Sequence, residues 1–372
     1  MQERGILYLI GGGEEAYNSW SDELYLPIVE LTNHGKIAII NYEDDEFGMD
    51  KYLTWLGAKT ARTFILRNRE DANSSELARE LKTYDAIFLE GGHQRFYYQT
   101  WKNTAFAKIL FYFYSSGKLI AGTSAGAMLL SEISFLSKAG RIHPDQIFLN
   151  PFLDSIELKS DFLNFMPGTI IDSHFNERGR LLRLVPLMAG SVLEFHSGVT
   201  GIGIDEETAL LIKPDFTGEV MGNNQVTILK PTSLSNIQIE SPKHALCTNI
   251  EYHSIGAGMK YDFKNQIIKI PDENTKFHVL PLTRADSLFF NSQTFLANNL
   301  TNLLIRKEKM PDQIVVSDLK NRRLSNNPTD ISSTLRLDLK EAYRIKTEKG
   351  KSVLNGKCHY YYGEIGNELS IY

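Results

Sequence analysis

Short apolar runs alternate with helix-like segments over the first half of the chain, and this alternation constrains the fold more than any other feature. The runs with the length and composition of buried strands are Gly5–Ile10, Lys36–Ile40, Arg62–Leu66, Ala86–Leu89 and Lys118–Gly122. The helix-like segments between them lie near Asp22–Asn33, Ser74–Leu81 and Asn103–Tyr114. Strand–helix–strand alternation is typical of parallel sheets covered by helices, so the sequence predicts an α/β fold with a mostly parallel sheet.

The loops after these strands are predicted to share one edge of the sheet, where such folds bind ligands. Residues 122–126 read Gly-Thr-Ser-Ala-Gly, between a strand-like and a helix-like run. A serine on a sharp strand-to-helix turn is typical of a nucleophile elbow, in which flanking glycines let the two elements approach closely. A serine at a helix N-terminus is also a common cap. Ser124 is therefore a candidate nucleophile whose alternative role is structural.

A second glycine loop, Gly11–Gly13, follows the first predicted strand and continues to Ala16. Its spacing matches the G-x-G-x-x-G/A fingerprint of dinucleotide-binding folds. However, Glu14 and Glu15 would place two carboxylates where the pyrophosphate must lie, at the helix N-terminus. We therefore interpret this loop as a tight turn and expect no dinucleotide cofactor.

A serine nucleophile requires a base, and His174 is the best placed of the nine histidines. It follows the apolar run Thr169–Ile171 and precedes a helix-like segment, which predicts a position on the same rim as Ser124. The helix-like segment carries three arginines whose guanidinium groups match the geometry of carboxylates. These arginines are Arg178, Arg180 and Arg183. Their pattern predicts a pocket for an acidic ligand beside the candidate base.

An acidic residue is needed to orient the base, and a second apolar run ends in three of them. Residues 201–204 read Gly-Ile-Gly-Ile, and Asp205, Glu206 and Glu207 follow. An acid at this strand end can complete the Ser–His–acid arrangement. We interpret Glu207 as part of a solvated turn.

Composition excludes several other classes of protein. The net charge of −5 and the isoelectric point near 6.0 provide no basic field for nucleic acid. The two cysteines, Cys247 and Cys358, lack the spacing of a disulfide framework or a zinc site. No apolar run approaches membrane-spanning length, and the first residues lack a signal-peptide core. We therefore expect no metal, no nucleic-acid partner, no membrane partner and a cytoplasmic location.

The second half of the chain differs in character from the first. Beyond residue 200 the apolar segments become shorter, and from about residue 276 the content of charged residues rises. We predict a main domain over residues 1–275 and a small C-terminal module of unknown role over residues 276–372.

Four motifs in this order resemble cyanophycinase, which is grouped with dipeptidase E among serine peptidases of the class I glutamine-amidotransferase-like, flavodoxin-like fold. The motifs are Gly91-Gly92-His93-Gln94, Gly122–Ala127, Asp172-Ser173-His174-Phe175 with the three arginines, and Gly203-Ile204-Asp205-Glu206 with Thr208-Ala209-Leu210. The resemblance covers roughly residues 5–275. It implies that Ser124 is the nucleophile, His174 the base and Glu206 the orienting acid, although Asp145 stays an alternative for the acid.

The resemblance also implies a substrate and an assembly. Cyanophycinase is an exopeptidase that hydrolyses cyanophycin, a polyaspartate backbone with arginine on each β-carboxyl group, into β-aspartyl-arginine dipeptides. The implied enzyme needs neither a metal nor an organic cofactor, and the family suggests a homodimer.

Chemical roles follow for the remaining motif residues. The backbone N–H groups of Ala125 and of Gly91 or Gly92 are expected to stabilise the oxyanion. Gln94 is expected to contact the substrate amide, because a carboxamide both donates and accepts hydrogen bonds. The other expected substrate contacts are Ser173 and, for the aspartate carboxylates, Arg178, Arg180 and Arg183. Asp172 is the predicted partner of the substrate guanidinium.

Three other functions fit parts of the same pattern. An aspartyl dipeptidase would use the same triad on a smaller substrate. An α/β-hydrolase esterase would require the order serine, acid, histidine, with His244, His253 or His278 as the base. A binding protein with the same fold and no catalytic activity is the third alternative.

Overall fold

The computed structural model describes residues 4–43, 47–138, 140, 142–241 and 243–269, together with strand segments of the C-terminal region at 278–279, 283–285, 288–290, 309–311, 313–320, 331–338, 343–346 and 351–364. Within these residues the elements up to the first triad loop are β1 (Ile6–Ile10), α1 (Trp20–Leu31), β2 (Lys36–Asn41), α2 (Met49–Trp55), β3 (Thr60–Ile65), α3 (Arg69–Asn73), α4 (Ser75–Leu81), β4 (Ala86–Leu89), α5 (Gln94–Trp101), α6 (Ala105–Ser115) and β5 (Leu119–Thr123).

The middle of the chain adds helices α7 (Ala125–Met128), α8 (Pro144–Leu149) and α9 (Leu181–Phe195), and strands β6 (Ser131–Ser137), β7 (Ile156–Lys159), β8 (Met166–Asp172), β9 (Thr200–Ile204), β10 (Thr208–Ile212), β11 (Thr217–Gly222), β12 (Gln225–Lys230), β13 (Asn236–Glu240), β14 (His244–Gly256), β15 (Lys260–Asp262) and β16 (Ile267–Lys269). The C-terminal strands are β17 (His278–Val279), β18 (Thr283–Ala285), β19 (Leu288–Phe290), β20 (Lys309–Pro311), β21 (Gln313–Lys320), β22 (Ile331–Asp338), β23 (Tyr343–Lys346) and β24 (Lys351–Glu364).

The first sheet contains the predicted parallel strands. Its order is β16-β15-β11-β10-β1-β5-β4-β2-β3, and the five strands from β1 to β3 in this order run parallel. The four strands beside β1 extend the sheet in antiparallel pairs. Strand β5 lies between β1 and β4, so the Ser124 loop leaves from the middle of the parallel part. The α/β class with a mostly parallel sheet is confirmed for this half of the molecule.

Both faces of the parallel strands are buried, as the continuous apolar runs predict. Along β1, Leu7 and Leu9 pack into one hydrophobic cluster, and Tyr8 and Ile10 pack into another on the opposite face. Helices α1 and α2 cover the second face, and α5 and α6 contribute to the first cluster. The sheet is therefore a rigid platform that fixes the ends of its strands.

A second sheet lies beside the first and was not predicted. Its main path is β19-β21-β22-β24-β14-β12-β9-β8-β6-β7, with parallel pairs at β6–β8, β8–β9 and β19–β21. The C-terminal strand β24 pairs with β14, and Tyr360 donates a hydrogen bond to the Phe148 carbonyl oxygen of α8 (3.0 Å). Strands β17, β19 and β21 to β24 thus belong to the same sheet as β14, whereas β18 and β20 pair with each other. The division at residue 275 stays a prediction, because residues 270–277 lie outside the described part.

In the described residues, no helix is long and apolar enough to cross a membrane.

Candidate active site

Ser124 occupies the turn between β5 and α7. Its backbone has φ +51° and ψ −119°, a conformation that L residues adopt only when the surrounding structure requires it. The flanking glycines are needed for packing: a Cβ on Gly122 would lie 2.6 Å from the Gly126 carbonyl carbon, and one on Gly126 would lie 2.2 Å from the Leu89 carbonyl oxygen. The Ser124 side chain makes no cap hydrogen bond to α7. It is held out of the helix.

Ser124, His174 and Glu206 form one hydrogen-bonded chain. The Ser124 Oγ lies 2.8 Å from His174 Nε2, and His174 Nδ1 lies 2.6 Å from Glu206 Oε1. Glu206 therefore occupies the position for which Asp145 was the alternative. The order of the three residues along the chain is serine, histidine, acid. His253, one of the late bases that an esterase would need, instead lies 3.8 Å from Glu251 on β14.

The base and the acid come from the second sheet. His174 follows β8 and Glu206 follows β9, two parallel neighbours, whereas Ser124 follows β5 of the first sheet. The predicted common rim is therefore wrong in one respect, because the triad spans the place where the edges of two sheets meet. The Gly11 loop joins them: the His174 N–H donates to the Gly11 carbonyl oxygen (2.8 Å).

Gly12 makes room for the base. A Cβ on Gly12 would lie 2.3 Å from His174 Cε1, so any side chain there would displace the imidazole ring. The Gly12 carbonyl oxygen also accepts a hydrogen bond from the Glu207 N–H (3.0 Å), directly after the acid. The loop that we interpreted as a tight turn thus supports the triad from below.

The hydrogen-bond pattern sets the protonation of the triad. Burial lowers the pKa of His174 by more than the hydrogen bond to Glu206 raises it, so the ring is neutral at neutral pH. The hydrogen bond from His174 lowers the pKa of Glu206, which is therefore ionised. A carboxylate can only accept, so Nδ1 carries the proton and Nε2 presents its lone pair to the Ser124 hydroxyl. This is the arrangement of a general base beside a nucleophile.

The predicted oxyanion residues lie beside the serine. Ala125 begins α7, whose first backbone N–H groups have no acceptor within the helix. Gly91 lies so close that a Cβ on it would be 3.4 Å from the Ser124 Cβ. The Tyr97 hydroxyl donates to the Gly91 carbonyl oxygen (2.6 Å). Because the peptide is planar and trans, the Gly92 N–H points away from Tyr97.

A cavity of about 190 Å³ opens at Ser124. The predicted residues that line it are Gly92, Gln94, Ser124, Ala125, Arg178, Arg180 and Arg183, and the other lining residues are His93, Met128, Phe135, Ser137, Gly140, Ile142 and Ile156. The buried Gln94 Nε2 has no hydrogen-bond acceptor among the residues that the structure describes, so a ligand carbonyl there would satisfy it.

Asp172 does not lie where a substrate guanidinium could reach it, and this prediction is corrected. Its side chain is fully buried, Oδ1 accepts from Arg183 Nη2 (2.6 Å) and Arg180 Nη1 (3.0 Å), and Oδ2 accepts from Arg183 Nε (2.7 Å). Burial alone would raise the pKa of Asp172, but Arg183 and then Arg180 outweigh it and hold the pKa below its usual value. Ser173 is also fully buried, with its Oγ 3.1 Å from Met128 Sδ, so it does not face the cavity.

The three arginines differ in their surroundings. Arg180 and Arg183 line the cavity but are held from behind by the Asp172 carboxylate. Two guanidinium groups share that one carboxylate, so an excess positive charge faces the cavity. The Arg178 side chain is 34% exposed, and its Nη2 lies 3.9 Å from Glu206 Oε1. Arg178 is therefore the arginine best placed to move toward a ligand carboxylate.

Among the described residues, no group of three or more histidine, cysteine, aspartate or glutamate side chains is arranged to hold a metal ion.

Comparison with known proteins agrees with this geometry. Residues 38–217 match Peptidase family S51. The S51 segment runs from within β2 to the first residue of β11, and it includes Ser124, His174 and Glu206.

Individual relatives are distant. A cyanophycinase of Synechococcus elongatus is 26% identical over 220 residues, which are 58% of this chain and 64% of that protein. A cyanophycinase of Trichormus variabilis (strain ATCC 29413 / PCC 7937) is 29% identical over 182 residues, 49% of this chain and 57% of that protein. The chain therefore matches less than two thirds of the length of either relative. The crystal structure of a peptidase from an acI-B1 Actinobacterium is 21% identical, with a TM-score of 0.49, and covers 70% of this chain and 98% of that chain.

Several residues of the site were missed from sequence. Gly12 lies under the imidazole in a loop that we interpreted only as a tight turn, and Tyr97, behind Gly91, belongs to no motif that we recognised. Asn176 and Asp205 lie inside motifs that were noted, but no role was given to them. Only their positions could have indicated a role, because Asn176 lies two residues after His174 and Asp205 lies one residue before Glu206.

Proposed function

We propose that this protein is a serine-type peptidase that forms an acyl-enzyme on Ser124. The observation that carries the proposal is the hydrogen-bonded chain from Ser124 Oγ through His174 to Glu206 on a strained strand-to-helix turn. The match of residues 38–217 to Peptidase family S51 supports the same reaction class.

In the proposed mechanism, Ser124 Oγ attacks the scissile carbonyl carbon while His174 Nε2 takes the hydroxyl proton. Glu206 stabilises the imidazolium that forms. The oxyanion receives the N–H groups of Ala125 and Gly92, which cost no reorganisation because α7 and the Gly91 loop hold them. His174 then returns its proton to the leaving amine, and a water molecule repeats the sequence to release the acid.

We further propose an aspartate-rich peptide as the substrate, with cyanophycin as the first candidate. Support comes from the excess positive charge at the cavity and from the similarity to two cyanophycinases. Arg178 would bind an aspartate carboxylate, and Gln94 Nε2 would donate to a substrate carbonyl. A homodimer and a cytoplasmic location are proposals that rest on the sequence resemblance.

The test is mass spectrometry of the products after incubation with cyanophycin. Release of β-Asp-Arg dipeptides by the wild type and not by Ser124→Ala supports the full proposal. Ser115→Ala, a change at an exposed serine on α6, is the matched control and should keep the activity. Cleavage of Asp-X dipeptides with an intact polymer would instead identify an aspartyl dipeptidase.

A serine-directed phosphonate tests the reaction class without reference to substrate. We expect labelling of Ser124 in the wild type and in Ser115→Ala, and none in Ser124→Ala. A folded wild type that is not labelled would favour a binding protein and overturn the peptidase proposal.

A further inference from the structure

The proposed mechanism does not use the buried carboxyl group directly before the triad acid. Asp205 is fully buried at the end of β9, one residue before Glu206, and its side chain points to a different partner. Its Oδ1 accepts from the Asn176 N–H (3.2 Å) and from Asn176 Nδ2 (2.7 Å). Its Oδ2 lies 2.7 Å from Asn176 Nδ2 and accepts from the Gln225 N–H (3.2 Å). A buried carboxylate is tolerated only with such partners.

These bonds join the two chain segments that carry the base and the acid. Asn176 lies two residues after His174, so the Asp205 carboxylate spans from the His174 segment to the Glu206 segment. We call the contact between residues 174–177 and residues 204–206 the seam. Two further hydrogen bonds cross it: the Phe175 N–H donates to the Ile204 carbonyl oxygen (3.1 Å), and the Glu206 N–H donates to Glu177 Oε2 (3.1 Å). The Asp205 carboxylate accepts hydrogen bonds both from backbone N–H groups and from the Asn176 side chain.

The seam is needed because the base sits on a strained turn. His174 has φ +43°, a region that non-glycine residues adopt only when the surrounding structure holds them there. Without external bonds the turn would relax and carry the imidazole away from Glu206 Oε1, at 2.6 Å. Asn176 is 5% exposed, so water cannot replace the Asp205 carboxylate there.

We propose that Asp205 is a positioning residue of the triad, which acts through Asn176 to hold His174 against Glu206. The inference rests on the proposed peptidase function, but one of its readouts does not require activity. Replacing Asp205 by asparagine keeps the size of the side chain and turns one acceptor oxygen into a donor. That donor would face the N–H groups of Asn176 or Gln225.

The control is Asp262, another buried aspartate, which lies on β15. In the order of the first sheet, β15 is four strands away from β5, which precedes Ser124. It also accepts from two backbone N–H groups, of Lys264 (3.1 Å) and Asn265 (2.9 Å), and from the Asn265 side chain (2.9 Å). Asp262 Oδ2 also lies 2.8 Å from Lys269 Nζ. Asp262→Asn therefore repeats the loss of a buried carboxylate with backbone donors and adds the loss of one ion pair. It should leave the reactivity of Ser124 unchanged.

The experiment measures two quantities in full-length wild type, Asp205→Asn and Asp262→Asn. The first is the rate of Ser124 labelling by a serine-directed phosphonate, and the second is the downfield NMR signal of the His174 Nδ1 proton. Burial, followed by the Glu177 carboxylate, raises the pKa of Asp205 to about 8, so the measurements are made at pH 9, where the group is ionised. We expect Asp205→Asn to slow labelling about 100-fold, as for a misplacement of about 1 Å, and to shift the proton signal upfield.

Two more variants guard against a general folding defect. Asn176→Ala removes only the side-chain donor and should slow labelling less than Asp205→Asn does. The exchange variant Asn176→Asp with Asp205→Asn places the carboxylate on the other side of the seam and should recover part of the labelling rate.

Labelling of Asp205→Asn at the wild-type rate would overturn the inference, as would an equal loss in Asp262→Asn or an unchanged proton signal in a slowed variant. If the wild type is not labelled at all, the peptidase proposal fails. The proton signal alone then decides whether Asp205 positions His174.

Discussion

Two clusters of polar and charged side chains each include a residue at the end of β8, His174 in one and Asp172 in the other, and they differ in what their polar groups contact. The triad of Ser124, His174 and Glu206 presents the Ser124 hydroxyl oxygen to a cavity. In the cluster of Asp172 with Arg180 and Arg183, the buried carboxylate holds two guanidinium groups from behind the cavity wall. Charged residues of one sequence motif can therefore have two roles. Some contact a ligand, and others support the side chains that line the cavity.

The largest expected effect breaks the triad. Ser124→Ala and His174→Ala should each lower kcat by about a million-fold, and the double variant should be no worse, because the residues act as one unit. Urea unfolding should show little change in stability for Ser124→Ala. Steady-state kinetics on the identified substrate provide the check, and additive losses would contradict the shared mechanism.

The second largest effect is expected when the negative charge of Glu206, which supports the base His174, is removed. Glu206→Gln should lower kcat/KM by about 10⁴-fold, since the imidazolium loses its stabilising partner. The Glu206 hydrogen bond raises the pKa of His174, so without it that pKa falls further below the ordinary value. The acid limb of the kcat/KM profile should therefore move to lower pH. A limb that stays in place would show that another group limits the rate.

The buried cluster should respond in stability. Asp172→Ala leaves two buried guanidinium groups without their carboxylate, and it should lower the free energy of unfolding by about 3–5 kcal/mol. Urea denaturation measures this loss.

The control is Asp161→Ala, which removes an ion pair to Lys102 from a carboxyl group that is 60% exposed. It should cost about 1 kcal/mol or less. If Asp172→Ala keeps its stability and only raises KM, Asp172 is a ligand of the substrate, as the sequence predicted.

Arg178 gives the smallest expected effect and lies between the two clusters. Arg178→Ala should raise KM about 10- to 100-fold, the range of one hydrogen bond between charged groups, with little change in stability. Arg178 also lowers the pKa of His174, so its removal should move the acid limb to higher pH, opposite to Glu206→Gln. Arg178→Lys keeps the charge and should keep the limb in place. A limb unaltered in Arg178→Ala would contradict the contact with the triad.

Much of the first sheet could be predicted from the sequence. The run Ala86–Leu89 matches β4 at both ends, and Gly5–Ile10 matches β1 within one residue. Continuous apolar runs are a strong signal because both faces of these strands are buried. Helix α3 was missed because it has only five residues and depends on a capping box between Asn68 and Asp71. The second sheet was missed because its pairings join strands far apart in the chain.

The site shows the same limit at the level of side chains. The order Ser124, His174, Glu206 could be inferred, since each residue follows a strand-like run. The direction in which the Asp172 side chain points could not be inferred. Arg180 and Arg183 lie one turn apart at the start of α9 and reach back to the strand end, and that contact depends on how α9 packs. Neighbouring charges in a sequence do not tell whether they face each other or a ligand.

The pairing of β24 with β14 has a consequence for how the molecule is made. Their register joins Ala245 to Tyr362 and Glu251 to Lys357, so one edge of β14 stays open until about a hundred further residues have been synthesised. An unpaired strand edge is a template for association with other chains. During synthesis, the sheet that carries His174 and Glu206 therefore has an unpaired edge on β14 until β24 has been made. We expect the nascent chain to be most prone to aggregate in that interval.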